Sequence, residues 1–318
     1  MRSRNGDNGF AIGMVQRAPP RPPLLGVHSK VKVTVIGSGG QLGREVCRVL
    51  GASGHEVRPL THADIEVTAA DSVMQSLRCD PPQVVVNCAA YVRVDDAEDH
   101  AEPAFQVNAV GALNVARVCA ELNARCVYIS TDYVFDGEKI LPYSETDAPR
   151  PLNVYGTSKL AGEHLVRQAC PEYLIVRVAS LFGQSGARAK GGNFIEAILA
   201  KAKRGEALRV INDIKISPTY CPDAAAAIVD LTQRGALGII HATNSGVCTW
   251  YELAKKVLAL CGLEVPIEAC ASSAYPSRAV RPRNSALDNA RVTKLLGVPL
   301  PLWEDAVKRY LVCRKYIQ

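Results

Sequence analysis

The chain has 318 residues, 48% hydrophobic and 21% charged, with a net charge of +6. These are the proportions of an ordinary globular protein, and the length suffices for one large domain or two closely joined ones. No apolar run approaches the roughly 20 residues that span a bilayer. Arg2, Arg4, Arg17, Arg21 and Lys30 face only Asp7 in the first thirty residues, so no basic surface for nucleic acid is expected from the rest.

Residues 1–30 contain RAPPRPPLLG, which is proline-rich and lacks periodicity. They read as a disordered tail, and the missing apolar h-region makes them a poor secretory signal. From residue 31 onward, strand-like and helix-like segments alternate. VKVTVI (31–36) is a β-branched run suited to a strand buried on both faces. A helix at QLGREVCRVLGAS follows, then strands at HEVRPL (55–60) and QVVVN (83–87). One long helix is expected over 103–122, with Pro103 in its first turn. A strand at RCVYIS (125–130), a helix holding Tyr155 and Lys159, and a strand at 172–178 complete the pattern. The alternation predicts an α/β fold, a doubly wound parallel sheet of Rossmann type, over residues 31–180. Residues 181–318 read as a smaller substrate lobe with segments returning to the sheet. Eleven cysteines, with no CxxC pair and no zinc-like spacing, point to a reducing, cytoplasmic setting and to no resident metal.

GSGGQLG (37–43) sets Gly37, Gly40 and Gly43 between the first strand and the first helix. Gly37 permits a tight turn, Gly40 a close approach to a pyrophosphate, and Gly43 close helix–strand packing. No acid closes the second strand, where RPLTH stands. This favours NADPH while leaving NADH possible, and makes Arg44 and Arg58 candidate phosphate partners. Asp64 fits two roles, an adenine contact or a turn aspartate. The small residues of NCAAY make Ala90, Tyr91 and Val92 candidate contacts for a coenzyme lying across the strand ends. The acidic run Asp95, Asp96, Glu98, Asp99 reads as a solvated loop or helix start.

Thr131 stands at the C-terminal end of the fourth strand, where open α/β sheets present reactive side chains. Tyr155 and Lys159 are one helical turn apart. A free phenol has a pKa of about 10, and a neighbouring ammonium is expected to lower it. Tyr155 is then the proton donor to a carbonyl oxygen, Thr131 orients that oxygen, and Lys159 tunes the phenol and reaches the coenzyme ribose.

In order along the chain, GQLG, VVNCAAYVRVDDAE, STDYVFDG, PLNVYGTSKLAGE, VINDIKISPT, TWYELA, SAYP and RPRNSALD resemble the dTDP-4-dehydrorhamnose reductases from about Val31 to Val312. The resemblance implies reduction of the C4 ketone of dTDP-4-dehydro-L-rhamnose. It implies Tyr155, Lys159 and Thr131 as catalytic residues, and Thr131 and Asp132 as sugar contacts. Gly40, Gln41, Leu42, Asp64, Ile65, Ala90, Tyr91 and Val92 map onto its coenzyme contacts. It also implies a homodimer, with Glu45 matching a position that holds Mg2+ at a subunit contact in some members. One departure stands out: the family's RTSW tryptophan is replaced by Ser180, with Leu181 and Phe182 as substitutes for the lost ring or as core. Arg281 and Arg283 suit either a nucleotide diphosphate or local carbonyls. Two rivals remain at this level. One is a regulatory subunit like the β subunit of methionine adenosyltransferase, and the other is a nucleotide-sugar epimerase.

Overall fold

A computed structural model describes residues 30–184 and 192–318; most of the tail assigned to residues 1–30 lies outside them. The strands are β1 Lys32–Ile36, β2 Glu56–Leu60, β3 Val84–Asn87, β4 Arg125–Thr131, β5 Tyr173–Val178, β6 Leu181–Phe182, β7 Leu208–Ile211, β8 Lys215–Ile216, β9 Thr219–Tyr220, β10 Gly238–His241, β11 Cys248–Thr249 and β12 Ile267–Cys270. The helices are α1 Gln41–Ala52, α2 Ala70–Arg78, α3 Val94–Asp99, α4 Ala101–Phe105, α5 Ala112–Glu121, α6 Val154–Ala169, α7 Phe194–Lys203, α8 Cys221–Gln233, α9 Trp250–Cys261, α10 Ala290–Leu296 and α11 Trp303–Cys313.

Six strands form one parallel sheet in the order β2-β1-β3-β4-β5-β10. The apolar runs of β3 and β4 are buried along their whole length, as a strand covered on both faces must be. Val33 and Val35 of β1 pack toward α1 and α8, while Val85 and Tyr128 pack toward α2, α5 and α6. The chain leaves β1 for β2 on one side and reaches β3 on the other, so a crevice opens beyond the ends of β1 and β3. Ligands of open α/β sheets sit at such a switch point.

Chain segments beyond residue 180 do return to the sheet: β10 pairs with β5, and α8 packs on α1's side. The remainder carries its own apolar clusters around α7, α9 and α11. The single helix expected over 103–122 is instead α4, a π-helical turn at Gln106–Gly111, and α5. The acidic run forms α3, and its carboxylates are engaged with neighbouring groups: Asp95 with Arg281, Asp96 with Arg93, and Glu98 with the Val154 amide. All eleven cysteines are free. No helix among the described residues is long and apolar enough to cross a membrane.

Candidate active site

β1 runs directly into the glycine loop. Gly37 has φ +75°, and a Cβ there would lie 2.8 Å from the Ala89 nitrogen, so both conformation and space demand glycine. A Cβ on Gly43 would lie 2.3 Å from the Gly37 oxygen, which lets α1 begin against the turn itself. Gly40 is the N-cap of α1, offers no side-chain cap, and is followed by no acid in the first turn. The first amides of α1 therefore lack both an internal acceptor and a local carboxylate, as an anion site requires. The cradle fits the pyrophosphate of a dinucleotide. Gln41 is tied to α8 by its Nε2, 3.1 Å from Cys221 Sγ. Arg44 donates to the Gly39 oxygen at 3.1 Å, bracing the loop.

A cavity of about 530 Å³ runs from this loop to the end of β4. Gly40, Gln41, Leu42, Gly43, Ala90 and Val92 line its coenzyme side. Other expected contacts stand elsewhere. The Asp64 carboxylate takes the Thr61 amide at 2.8 Å and the Thr61 hydroxyl at 2.7 Å, which is the turn role. The Ile65 side chain is core, 3% exposed. The Tyr91 hydroxyl donates to Asp96 rather than entering the cavity. Arg58 donates to the Ser76 oxygen at 2.7 Å and approaches Cys79 Sγ at 3.5 Å. The three polar side chains hold hydrogen-bond partners within the fold, and Ile65 joins the apolar core.

Thr131, Tyr155 and Lys159 converge on the same cavity. Thr131 is the last residue of β4, and Tyr155 the second of α6. The start of α6 is fixed by Asn153, whose Oδ1 takes the Gly156 amide at 2.8 Å, and by Glu98, whose Oε1 takes the Val154 amide at 2.8 Å. Gly156 is required there, because a Cβ would lie 2.1 Å from the Tyr133 oxygen. Burial pushes the Tyr155 phenol well above its ordinary pKa; the Thr131 hydrogen bond lowers it, while Asp132 and Tyr133 raise it further. The expected acidification by Lys159 does not offset this burial. Lys159 is itself drawn down to about 7 by burial, against the pull of Glu163 and Cys88. Its ammonium donates to the Ile129 oxygen at 2.5 Å and lies 4.0 Å from the Tyr128 ring centroid.

The sugar side departs more from expectation. Ser180 adopts φ +42°, unusual for serine, and lines both this cavity and a second one of about 340 Å³. Phe182 stacks on Tyr220 with centroids 5.4 Å apart and is largely core, and it borders the cavity together with Leu181. The aromatic wall beside Ser180 comes instead from Phe194 and Trp250, 4.7 Å apart, which border both cavities. Asp132 is 3% exposed and accepts from the Thr131 hydroxyl at 2.9 Å. Arg281 spends its fork on Asp95, at 2.9 and 2.7 Å, instead of presenting a free bidentate site. Arg283 is exposed and lines neither cavity. Glu45 is paired with Arg48 at 2.7 Å, and the described residues hold no group of three metal-type ligands.

Sequence reasoning missed Asn108. The π-helical turn aims it at two elements: it accepts the Tyr91 amide at 2.9 Å and donates to the Ser158 hydroxyl at 2.9 Å. It thereby ties the loop after β3 to the helix of Tyr155. Tyr133, 5.9 Å from Tyr155 ring to ring, and Trp250 were also missed. The repeated aromatics of STDYVFDG and TWYELA carried that signal.

The comparisons with known proteins agree with this geometry. The family model described as RmlD substrate binding domain matches residues 31–315. The spore coat polysaccharide biosynthesis protein SpsK of Bacillus subtilis (strain 168) is 38% identical over 280 residues, 88% of this chain and 96% of its own length. The dTDP-4-dehydrorhamnose reductase of Aggregatibacter actinomycetemcomitans is 34% identical over 294 residues, 87% of this chain and 97% of its own. The crystal structure of dTDP-4-dehydrorhamnose reductase from Bacillus anthracis str. Ames, in complex with NADP, matches with a TM-score of 0.84 at 33% identity, covering 89% of this chain and 99% of that one.

Proposed function

We propose that this chain, which belongs to the RmlD substrate binding domain family together with the dTDP-4-dehydrorhamnose reductases, reduces the C4 ketone of dTDP-4-dehydro-L-rhamnose to dTDP-L-rhamnose. It is an oxidoreductase of the NAD(P)H-dependent kind. The observation that carries the reading is the convergence of Thr131, Tyr155 and Lys159 on a cavity floored by an uncapped glycine loop.

The bound nicotinamide coenzyme supplies the hydride. The absence of an acid after β2 and the NADP-bound relative favour NADPH. The amides of Gln41, Leu42 and Gly43 would hold its pyrophosphate, and Ala90 and Val92 would leave room for it across the strand ends. Thr131 orients the ketone oxygen. The Tyr155 phenol, kept protonated by its burial, gives its proton to that oxygen as negative charge develops there. Lys159, itself buried, places a cation beside the reacting groups. Phe194 and Trp250 flank the sugar where the family's tryptophan is replaced by Ser180.

The test mixes purified protein with NADPH and a panel of dTDP-, UDP- and GDP-linked 4-keto sugars, following loss of nicotinamide absorbance. Stoichiometric oxidation with dTDP-4-dehydro-L-rhamnose, yielding dTDP-L-rhamnose, is expected. No oxidation of NADPH or NADH with any member of the panel would overturn the reading.

A further inference from the structure

Behind the active site lies a charged chain that the reduction as described does not use. Glu163 follows Lys159 by one turn of α6, and Arg177 lies in β5; each is 1% exposed. The guanidinium clasps the carboxylate, Nε to Oε1 at 2.8 Å and Nη2 to Oε2 at 2.7 Å. Ser130, the residue before Thr131, donates to the same Oε1 at 2.5 Å. On its other side Arg177 lies 5.0 Å from the Phe135 ring centroid, and its Nη1 is 3.5 Å from His241 Nε2 in β10. An ion pair this deep is a weak source of stability, because desolvating two charges offsets most of their attraction. Its placement gives it another use.

Lys159 is 2% exposed and makes no ion pair among the described residues. The groups facing its ammonium are the Ile129 carbonyl and the Tyr128 ring from β4, Cys88 just after β3, and Glu163 from the next turn of α6. Glu163 is the carboxylate among them. It faces Ser130 from β4 and Arg177 from β5 as well as Lys159. Buried His241 is held down to about 3 by burial and by Arg177, so it adds no second cation at neutral pH.

We propose that Glu163 is a positioning residue of the reduction: clasped by Arg177 and Ser130, its carboxylate supplies the negative potential that keeps Lys159 an ammonium in a cavity hostile to charge. The same clasp couples that potential to the strand end carrying Thr131. This inference rests on the role given to Lys159 above. Across one helical turn, unit charges at an effective dielectric of about 20 interact strongly; with Arg177 cancelling part of the field, the net effect on Lys159 is about one pH unit.

Glu163→Gln keeps the shape and removes the charge. Two readouts are expected to move together. The alkaline limb of the kcat–pH profile falls by about one unit. In the coenzyme-free protein, nitrogen-15 lysine NMR shows Lys159 losing its proton at correspondingly lower pH. Glu163→Asp, which restores the charge, returns both toward the parent. Should Glu163→Gln strand Arg177 and fail to fold, Glu163→Gln/Arg177→Met removes both charges and is expected to show the same direction. An unmoved limb and an unmoved Lys159 titration in a folded variant overturn the proposal and leave Glu163 a packing role. Lys159→Met separates this from its premise. If that variant is inactive while the limb of Glu163→Gln stays put, the inference alone fails; if it turns over normally, the reading of Lys159 fails and the inference with it.

Discussion

The two ends of the cavity are built from different materials. The coenzyme end is backbone: a turn, two close approaches and the open amides of α1. The sugar end is assembled from side chains of distant segments, with Ser180, Phe194 and Trp250 lining the same cavities as Tyr133. A backbone site needs glycines at fixed spacing, so a short stretch of sequence displays it. A side-chain site depends on which partner each group meets in space. Arg281 shows the consequence, since its fork is taken by Asp95, 186 positions away.

Four substitutions probe that contrast, beginning where the two ends meet. Tyr155→Phe is expected to lower kcat by roughly 10²–10⁴-fold while NADPH still binds, as read by coenzyme oxidation and by fluorescence titration. A parent-like rate would remove Tyr155 as the proton donor. At the backbone end, Gly43→Ala forces a Cβ to 2.3 Å from the Gly37 oxygen. It is expected to cost about 1–3 kcal/mol in denaturant unfolding and to abolish measurable NADPH binding. Retained binding would show that the loop has slack.

At the side-chain end, the Arg281 fork holds the Asp95 carboxyl down at about 2, even though that side chain is 45% exposed. A carboxyl depressed below its unfolded value of about 3.9 stabilises the fold above that pH. The contribution is lost as pH falls toward 2. Asp95→Asn should therefore lower Tm at pH 7 by the equivalent of about 1 kcal/mol or less after solvent screening. The difference from the parent should vanish in acid, and a gap that persists at pH 2 would mean the pair is not its source. The smallest effect is expected from Arg283→Ala. This exposed residue lines neither cavity, so Tm and the KM for the nucleotide sugar should both stay at parent values. A rise in KM would restore Arg283 as a diphosphate ligand.

Local pattern made much of the molecule legible. The apolar run of β1 read as a strand buried on both faces and those of β3 and β4 as strands, the spacing of Gly37, Gly40 and Gly43 read as a phosphate turn, and Tyr155 and Lys159 read as neighbours on one helix face. What stayed hidden was whatever depends on competition between partners. Asp64 read as an adenine contact or a turn aspartate and Arg58 as a candidate phosphate partner, and the fold gives them the Thr61 hydroxyl and the Ser76 carbonyl as partners. Asn108 carried no signal, because a π-helical turn that re-aims one side chain leaves the apolar period of the surrounding helix almost intact.

The sequence by itself determined the doubly wound sheet, the glycine turn that opens α1 and the placing of Tyr155 and Lys159 one turn apart on α6, because each rests on periodicity or on spacing within a few residues. Only the tertiary structure decided the protonation environment of that pair. Burial raises the Tyr155 phenol and lowers Lys159, Asp132 raises the phenol further, and Arg177 and Ser130 hold Glu163, whose carboxylate opposes the fall of Lys159. The physical reason is that desolvation and Coulomb fields depend on distances through space, which separation along the chain does not encode.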